Sequence, residues 1–453
     1  MGANSLSRSP LCGDGDSLGC GALSSMPNPP PPGSTWTTRV EPGRGRCLVA
    51  ATDLPAGAIA LAEAPIVWWV DARAQGAVCT HCLKPIVAGS SGIRCAVSGQ
   101  AHWCGPDCAA ADAERHGRVC ELLAPVTRLR DTDPEWMRLA PDERDEAVTL
   151  LHLVAHAVAL RAADDPAFTL LWDQAGDVPL SSLDEAQCAL VLGALRAAAP
   201  ECAAAAAPWL DLDFVRGIDQ RDKANTFAIT VTAASAGGDA SERRPHAFGV
   251  YPHLTQSNHS CLPTVARFDE IDGGDRPRHA APPAAASVGV LRECADDAAA
   301  LARPPCSLAM RYVTLHAVPA GEELMPSYVP LGDPEPERRS HFASEYGFRC
   351  GCRRCALERA EGGCEGGGGG EGGEGGEGGD DDVDLTYVAL FVLKHTCPAC
   401  MGCMAPLGAA DAAPCVCNRC GNERSQQEFI ERVEAYFAAE GDEDDDAGAD
   451  KCC

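Results

Sequence analysis

Residues 257–261 read Ser-Asn-His-Ser-Cys, residues 326–328 read Pro-Ser-Tyr, and residues 350–355 read Cys-Gly-Cys-Arg-Arg-Cys. Each string is short enough to occur by chance. Their order is more informative, because another cysteine-rich segment precedes them at residues 79–120. The three cysteines at 350–355 are one ligand short of a structural zinc site. A fourth ligand must therefore come from elsewhere in the chain.

The composition is that of a globular chain with acidic, glycine-rich additions. The chain has 453 residues, of which 45% are apolar, and this length allows about two to four domains. Its formal net charge of −28 is concentrated: residues 361–384 carry nine acids and no base, and residues 440–450 carry seven acids. The folded body is therefore only mildly acidic. We expect no direct nucleic-acid binding through a basic face.

The longest apolar run, residues 147–160, is too short to span a bilayer, so we expect no membrane partner. His152 and His156 lie in this run one helical turn apart. The glutamate of a His-Glu-x-x-His metalloprotease helix is absent from the pair. The pattern therefore predicts a buried core helix.

Twenty-six cysteines are compatible either with a secreted disulfide scaffold or with intracellular zinc sites. Residues 1–35 contain no apolar signal segment and are rich in Ser, Gly and Pro, which predicts disorder. Many cysteines form pairs two or three residues apart. This pairing favours reduced, zinc-bound cysteines and a location in the nucleus, the cytoplasm or both.

The pairs have the spacing of zinc knuckles. Cys79 and Cys82 form one pair, and Cys104 with Cys108 and His116 with Cys120 form two more. Near the C-terminus, Cys397-x2-Cys400 and Cys417-x2-Cys420 have zinc-ribbon spacing, with Cys403 and Cys415 as competing ligands. We interpret Cys188 and Cys202 as small core residues, and the terminal pair Cys452 and Cys453 as solvent-exposed.

The secondary-structure pattern changes twice along the chain. Short β-prone runs with a turn at 55–57 fill residues 36–70, a helical pattern extends from about 135 to 210, and strands return at 227–231. Ser182-Leu-Asp-Glu185 predicts a helix-capping box, and Ser425-Gln-Gln-Glu428 predicts another before a helix that ends near Ala439. Residues 234–246 and 272–305 have the composition of surface insertions.

These motifs resemble the SET-and-MYND family of protein lysine methyltransferases. The resemblance covers residues 36–356. It implies an α+β fold, in which a mainly-β SET fold is interrupted by a MYND zinc finger and a helical insert. A post-SET zinc clamp and a C-terminal zinc-ribbon-like unit follow.

The resemblance and the composition together predict the following organisation: 1–35 disordered segment, 36–77 N-terminal SET part, 78–121 MYND zinc finger, 122–215 helical SET insert, 216–330 SET catalytic core, 331–356 post-SET zinc motif, 357–386 acidic Gly-rich linker, 387–439 zinc-ribbon-like unit plus helix, and 440–453 acidic tail.

The resemblance also implies the zinc ligand sets, giving up to four Zn²⁺ sites with the ribbon. The sets are Cys79, Cys82, Cys104 and Cys108; Cys95, His116 and Cys120; and Cys261, Cys350, Cys352 and Cys355. Ser98 stands where the second set should have a cysteine, and a serine hydroxyl is a poor zinc ligand. His102 or water could complete that shell, or the site could be weak.

The implied chemistry is transfer of a methyl group from S-adenosyl-L-methionine to a lysine amine. By the resemblance, Tyr328 is the catalytic residue that orients the amine. The implied cofactor-binding residues are Arg44, Gly45, Arg46, Asn225, Asn258, His259, Tyr346 and Phe348. Three positions depart from the family: Cys47 replaces a glycine, Thr264 replaces an asparagine, and Pro326 replaces an apolar strand residue.

We expect the substrate to be a protein, either a histone tail or another lysine-bearing protein. Peptide partners of the MYND finger are a further expectation. The alternative is a catalytically weak or inactive zinc-binding scaffold that recruits partners through the finger. The departures at Cys47, Ser98, Thr264 and Pro326 are the features that support this alternative.

Overall fold

The computed structural model describes residue 30 and residues 33–86, 92–198, 208–230, 245–269, 287–288, 308–362 and 383–446. It is a mixed helix-and-sheet structure, in agreement with the α+β expectation. The strands are β1 Trp36–Glu41, β2 Gly45–Ala50, β3 Ile59–Glu63, β4 Val67–Val70, β5 Ile93–Arg94, β6 His102–Trp103, β7 Thr226–Thr230, β8 Pro245–Val250, β9 Val265–Asp269, β10 Ser287–Val288, β11 Met310–Thr314, β12 Met404–Pro406, β13 Cys415–Cys417 and β14 Glu423–Arg424.

Helices fill three parts of the described chain. They are α1 Pro106–Gly117, α2 Cys120–Leu123, α3 Val126–Thr132, α4 Pro141–Ala162, α5 Pro166–Trp172, α6 Ser182–Ala198, α7 Leu212–Asn225, α8 Glu335–His341, α9 Arg353–Gly362, α10 Leu385–His395 and α11 Gln426–Asp446. No helix within the described residues has both the length and the apolar character needed to cross a membrane.

The sheets are small and mostly antiparallel. Strands β1 and β2 form a hairpin, β4-β8-β7 form a three-stranded sheet, and β10-β3-β11-β9 form a four-stranded sheet in which only β10 pairs in parallel. The hairpin turn places Gly43 at φ 76° and Gly45 at φ 75°, a left-handed conformation that glycine adopts without strain. This turn lies beside the site described below.

The hydrophobic core has two main parts. Residues such as Trp36, Leu61 and Tyr312 join the hairpin to the four-stranded sheet. The apolar stripes of α4, α6 and α7 pack together against β4 and β8. His152 and His156 are buried in α4, where burial lowers the pKa of His152 to about 3. The prediction of a buried core helix there is confirmed.

Several element boundaries differ from expectation. The cap of α6 is Ser181 with Asp184, which exchange hydrogen bonds of 2.7 and 3.2 Å, one residue earlier than the predicted Ser182 and Glu185. Asp184 can serve because an aspartate reaches the backbone N–H of the cap as a glutamate does. Helix α7 continues beyond residue 215, where we predicted the helical insert to end.

The C-terminal boundaries also differ. Helix α9 continues to Gly362 and α10 begins at Leu385, so both overlap the predicted linker at 357–386. The cap at Ser425 and Glu428 is confirmed by bonds of 2.7 and 3.2 Å, but α11 extends past Ala439 to Asp446.

Within the predicted insertion at 272–305, β10 pairs with β3, so this part joins the sheet. The rest of that insertion lies outside the described residues, as do most of residues 1–35, most of the insertion at 234–246, residues 363–382, and Cys202, Cys452 and Cys453.

Candidate functional site

Tyr328 lies where the three stretches quoted at the outset meet. Residues 322–326 run along β2, with Leu324 N donating to Leu48 O at 2.7 Å, and Ser260 N donates to Pro326 O at 3.2 Å. A cavity of about 720 Å³ opens beside Tyr328. Its lining comes from all three stretches and from the hairpin turn of β1 and β2.

The hydroxyl of Tyr328 is held by the backbone. It donates to the carbonyl oxygen of Ser257 at 2.6 Å. The Ser257 hydroxyl donates to Leu254 O at 2.7 Å and also forms a 2.7 Å hydrogen bond with the hydroxyl of Tyr312. Burial raises the pKa of Tyr328, and it raises that of Tyr312 to about 12. Both phenols are therefore protonated at neutral pH.

His259 connects Tyr328 to a cysteine group. The backbone N–H of Tyr328 donates to His259 Nδ1 at 3.1 Å, so Nδ1 is the acceptor. Burial lowers the pKa of His259 to about 4, which keeps the ring neutral. The neutral ring then carries its proton on Nε2, which lies 3.2 Å from the Sγ of Cys261. Because both nitrogens are engaged, the predicted cofactor contact of His259 is restricted to its other atoms.

Asn258 holds the hairpin against Glu323. Its Nδ2 donates to Glu323 Oε1 at 2.8 Å and lies 3.2 Å from Cys47 Sγ. Glu323 also forms a 2.7 Å ion pair with Arg44. Burial, followed by the nearby Glu323 and Glu41 carboxylates, raises the pKa of Cys47 to about 11. Cys47 is therefore a neutral thiol in β2, after the turn that requires glycines.

Thr264 and Pro326, the other two residues that depart from the resemblance, are accommodated by hydrogen bonds. The Thr264 hydroxyl donates to Glu323 O and accepts from Met325 N, both at 2.8 Å. Pro326 lacks an N–H, but its carbonyl accepts from Ser260. These contacts fix the segment that leads into Tyr328.

Four of the predicted cofactor residues lie outside the lining of this cavity: Gly45, Arg46, Asn225 and Tyr346. Arg46 Nη1 is buried and has no hydrogen-bond partner among the described residues. Asn225, the last residue of α7, uses its Nδ2 to donate to Ala175 O at 2.7 Å and to Arg221 O at 2.9 Å. Its role in cofactor binding stays a prediction.

Aromatic side chains cover Tyr328 and His259. The ring centroids of Tyr328 and Tyr346 are 5.0 Å apart, and Phe348 stacks on Phe342 at 5.1 Å. The Phe342 ring is also 4.4 Å from that of His259. Tyr346 is half-exposed and Phe348 half-buried, so this cluster separates the Tyr328 hydroxyl from much of the solvent.

Cys261 joins Cys350, Cys352 and Cys355 in a group whose sulfurs lie within 4.8 Å of one another. Cys261 Sγ is 3.9 Å from Cys350 Sγ and 3.5 Å from Cys355 Sγ. Tetrahedral zinc with Zn–S bonds of about 2.3 Å places sulfurs about 3.8 Å apart. The group could therefore hold zinc, and it would tie the 257–261 segment to residues 350–355.

Two buried arginines, Arg338 and Arg354, lie next to this cysteine group. Arg338, 1% exposed, donates to Cys355 Sγ at 3.4 Å and pairs with Glu358. Arg354 donates to the same glutamate at 2.7 Å and to Leu331 O at 2.7 Å. The Arg338 guanidinium lies close to the Cys355 sulfur and would oppose the negative charge of the thiolates that zinc ligation requires.

Two further groups of four cysteines have the same geometry. Cys79, Cys82, Cys104 and Cys108 form one, and Cys397, Cys400, Cys417 and Cys420 form the other. In the second group, the sulfurs of Cys397 and Cys420 are 3.6 Å apart and those of Cys400 and Cys417 are 3.5 Å apart. Cys403 and Cys415, the competing ligands, lie outside it. The 18 cysteines of the described chain are all free.

A further group, Cys95, His116 and Cys120, has three ligands. Buried Ser98 points its hydroxyl at it, with Oγ 3.4 Å from His116 Nε2. His102 is not part of the group, and its ring lies against Gly76. Ser98 therefore occupies the place of the fourth ligand, and of the alternatives left open by the sequence, His102 is not favoured.

We expect Ser98→Cys to strengthen zinc binding at this group, because a thiolate would replace a neutral hydroxyl at the fourth position. The release of one zinc ion per chain to a chelator should become markedly slower. A colorimetric zinc assay measures the rate of this release. His102→Ala should leave zinc content unchanged. Loss of one zinc in His102→Ala, with no effect of Ser98→Cys, would contradict this assignment.

Several supporting residues were not predicted from the sequence. Buried Glu63 accepts from His253 Nδ1 at 2.7 Å and from Leu254 N at 2.9 Å, which shapes the turn before Ser257. Tyr312 and Glu323 hold the Tyr328 and Asn258 contacts described above. The sequence offers a signal for the two glutamates: Glu63 ends the apolar run 58–62, and Glu323 directly precedes Leu324.

A scan of the chain against models of known protein families finds no match. The chain is similar to the histone-lysine N-methyltransferase ASHR2 of Arabidopsis thaliana, with 27% identity over 326 residues, 70% of this chain and 70% of the relative. The mixed helix-and-sheet fold and the cysteine groups that could bind zinc are consistent with a SET methyltransferase.

Proposed function

We propose that the protein is an S-adenosylmethionine-dependent protein-lysine N-methyltransferase of the SET-and-MYND type. The observation that carries the proposal is the position of Tyr328, whose anchored hydroxyl lies at a 720 Å³ cavity lined by the hairpin turn and by Asn258. The similarity to a histone-lysine N-methyltransferase supports the same chemistry.

The residues present fit this cofactor. The cavity has the size of a cofactor pocket. Arg46 lies outside the lining, but its backbone oxygen is 3.4 Å from Nδ2 of the lining residue Asn258, and its Nη1, which lacks a partner among the described residues, would donate to the carboxylate of the cofactor's amino-acid part. Arg44 and Gly45 of the turn, Asn258, and the Tyr346 and Phe348 rings would hold the remainder. When bound, the cofactor supplies an electrophilic methyl group.

The protein's part is to present a neutral amine in line. A lysine amine has an ordinary pKa of about 10.4 and must lose a proton before it attacks. An aromatic channel formed by Tyr328, Tyr346 and Phe348 would exclude water and lower that pKa. The Tyr328 proton is committed to Ser257 O, so the phenol oxygen is free to accept an N–H of the amine and orient its lone pair.

Zinc at Cys261, Cys350, Cys352 and Cys355 would act as a clamp, because Cys350 and Cys352 also line the cavity. We further propose zinc at the other cysteine groups, with the finger at 78–121 as a site for peptide partners. The substrate would be a histone tail or another lysine-bearing protein, in the nucleus, the cytoplasm or both.

The test uses zinc-replete protein, labelled S-adenosylmethionine, core histones and a whole-cell extract. We expect a protein substrate to become labelled, and we expect no label on it when the enzyme is omitted. Calorimetry with unlabelled cofactor provides an independent readout. Absence of both label and cofactor binding would reject the enzyme and leave the zinc-binding scaffold.

Arg46→Ala is expected to weaken cofactor binding by roughly 10- to 100-fold, because one hydrogen bond to a charged group contributes about 1.5–3 kcal/mol. Calorimetric titration measures the change. Arg39→Ala is the matched control, since Arg39 lies in the same hairpin with its side chain 48% exposed. Equal affinities of the two variants would remove Arg46 from the cofactor site.

A further inference from the structure

A second cavity, of about 380 Å³, lies on another side of Tyr328. Tyr328 lines both this cavity and the larger one described above. One wall comes from β7, β9 and residues 326–331. The opposite wall comes from the C-terminal four-cysteine unit, defined as residues 397–420, through Met401, Asn418 and Arg419.

The C-terminal four-cysteine unit is packed firmly onto the sheet. Ala405 of β12 and Phe391 of α10 share a hydrophobic cluster with Ile59, Ala266 and Val313 of β3, β9 and β11. Asn418 Nδ2 donates to Arg267 O at 2.8 Å. The wall that this unit contributes is therefore held in place by buried contacts, in addition to its covalent connection.

Met401 occupies a backbone position that favours glycine. Its φ is 59°, in the left-handed region, which costs a residue with a side chain about 1–2 kcal/mol. The same conformation follows Cys82 at Leu83 (φ 55°) and Cys420 at Gly421 (φ 71°), so it belongs to the turn after each cysteine pair. The Met401 side chain is 46% exposed and its Cε lies over Gly332, close to the segment that carries Tyr328.

The cavity lining contains one ion pair and one further arginine. Arg267 donates to both carboxylate oxygens of Asp269, at 2.8 and 3.0 Å. Arg419 Nη1 donates to Cys400 O at 3.1 Å. Between them the wall offers apolar atoms of Val265, Val329 and Met401. Recognition there would rest on apolar contact beside the positive charge of Arg419, which a hydrogen bond to a carbonyl oxygen does not neutralise.

We propose that this second cavity receives the substrate segment next to the target lysine, and that Met401 contacts an apolar side chain of that segment. The inference rests on the proposed function and adds a substrate-selecting role for the C-terminal four-cysteine unit. It requires that the lysine reach Tyr328 from this cavity while the cofactor occupies the larger one.

Two variants remove the side chain, and only one of them changes the backbone strain. Met401→Gly relieves the left-handed strain and Met401→Ala retains it. We expect both to raise KM for core histones by roughly tenfold, the scale of a lost apolar contact, with kcat and the cofactor Kd unchanged. The melting temperature of Met401→Gly should equal or exceed that of the unmodified protein. Met137→Ala is the matched control, because Met137 is 47% exposed elsewhere.

The outcomes separate this inference from the proposed function. If the unmodified protein transfers methyl groups and both Met401 variants keep its KM, the second cavity is not the substrate site. A KM that rises in Met401→Gly alone would assign the effect to the altered backbone and also overturn the inference. Absence of methyl transfer by the unmodified protein would reject the proposed function itself, and this inference with it.

Discussion

Replacing Tyr328 by phenylalanine is expected to lower kcat for methyl transfer by roughly 100-fold or more, the scale of a misplaced reacting group. Cofactor affinity should stay within about twofold, because the ring and its tilted contact with Tyr346 are retained. The reason is geometric: the phenol oxygen, fixed by its bond to Ser257 O, is the group that would orient the amine. Single-turnover labelling and calorimetry measure the two quantities.

Two further tyrosines make the test selective. Tyr312→Phe removes only the hydroxyl behind Ser257, so we expect a smaller loss of kcat than for Tyr328→Phe. Tyr387→Phe changes a 43% exposed residue of α10 and should have no effect. If Tyr328→Phe kept full turnover in a folded protein, the orienting role would be wrong, and the lysine would have to be positioned by other groups.

The pH dependence of methyl transfer provides a second test of the role of Tyr328. Burial raises the pKa of Tyr328, so the folded protein holds this phenol in its neutral, hydrogen-bonding form. Activity should rise with pH as the lysine amine loses its proton. It should show no decline from tyrosine ionisation up to about pH 10, the ordinary value for tyrosine.

The metal groups could be predicted from the sequence because their ligands come in local pairs. Cys397 with Cys400 and Cys417 with Cys420 lie on tight turns, so spacing alone specifies them. Cys261 is different: it lies 89 residues from Cys350, and only the resemblance to a family joined them. The structure brings the four sulfurs together, which supports that assignment.

Contacts between distant segments could not be predicted from the sequence. Nothing near Tyr312 indicates that its hydroxyl braces Ser257, because a tyrosine in a strand is ordinarily a core residue. The packing of the C-terminal four-cysteine unit against β9 and β11 could not be predicted either, because a glycine-rich stretch of sequence separates the unit from these strands. The cap of α6 was predicted one residue too late, because Ser181 and Ser182 are equally suitable cap residues and the sequence does not distinguish them.

The cysteine group at Cys261 connects metal binding to the geometry of Tyr328. His259 accepts from Tyr328 N–H, and its protonated Nε2 faces Cys261 Sγ, which must act as an acceptor. A zinc-bound thiolate is a good acceptor, whereas a protonated thiol is a weak one. Zinc would therefore stabilise the tautomer of His259 that holds the backbone of Tyr328.

Replacing Cys261 by serine is expected to release one zinc per chain and to abolish both cofactor binding and methyl transfer. A structural zinc contributes roughly 10–16 kcal/mol of apparent binding free energy in small domains, and loss of one thiolate forfeits much of it. Cys350 and Cys352 would then no longer hold their wall of the cavity. Zinc content, cofactor calorimetry and labelling measure the three effects.

Cys188→Ser is the matched control, because both Cys188 and Cys261 are 0% exposed and Cys188 belongs to none of the cysteine groups. It should keep its full zinc content and its cofactor affinity. His259→Ala provides the intermediate case: zinc should remain bound while kcat falls, since the bridge from the cysteine group to Tyr328 is removed. A Cys261→Ser protein that lost its zinc yet bound cofactor normally would show that the metal supports the fold without shaping the cavity, and the coupling through His259 would have to be abandoned.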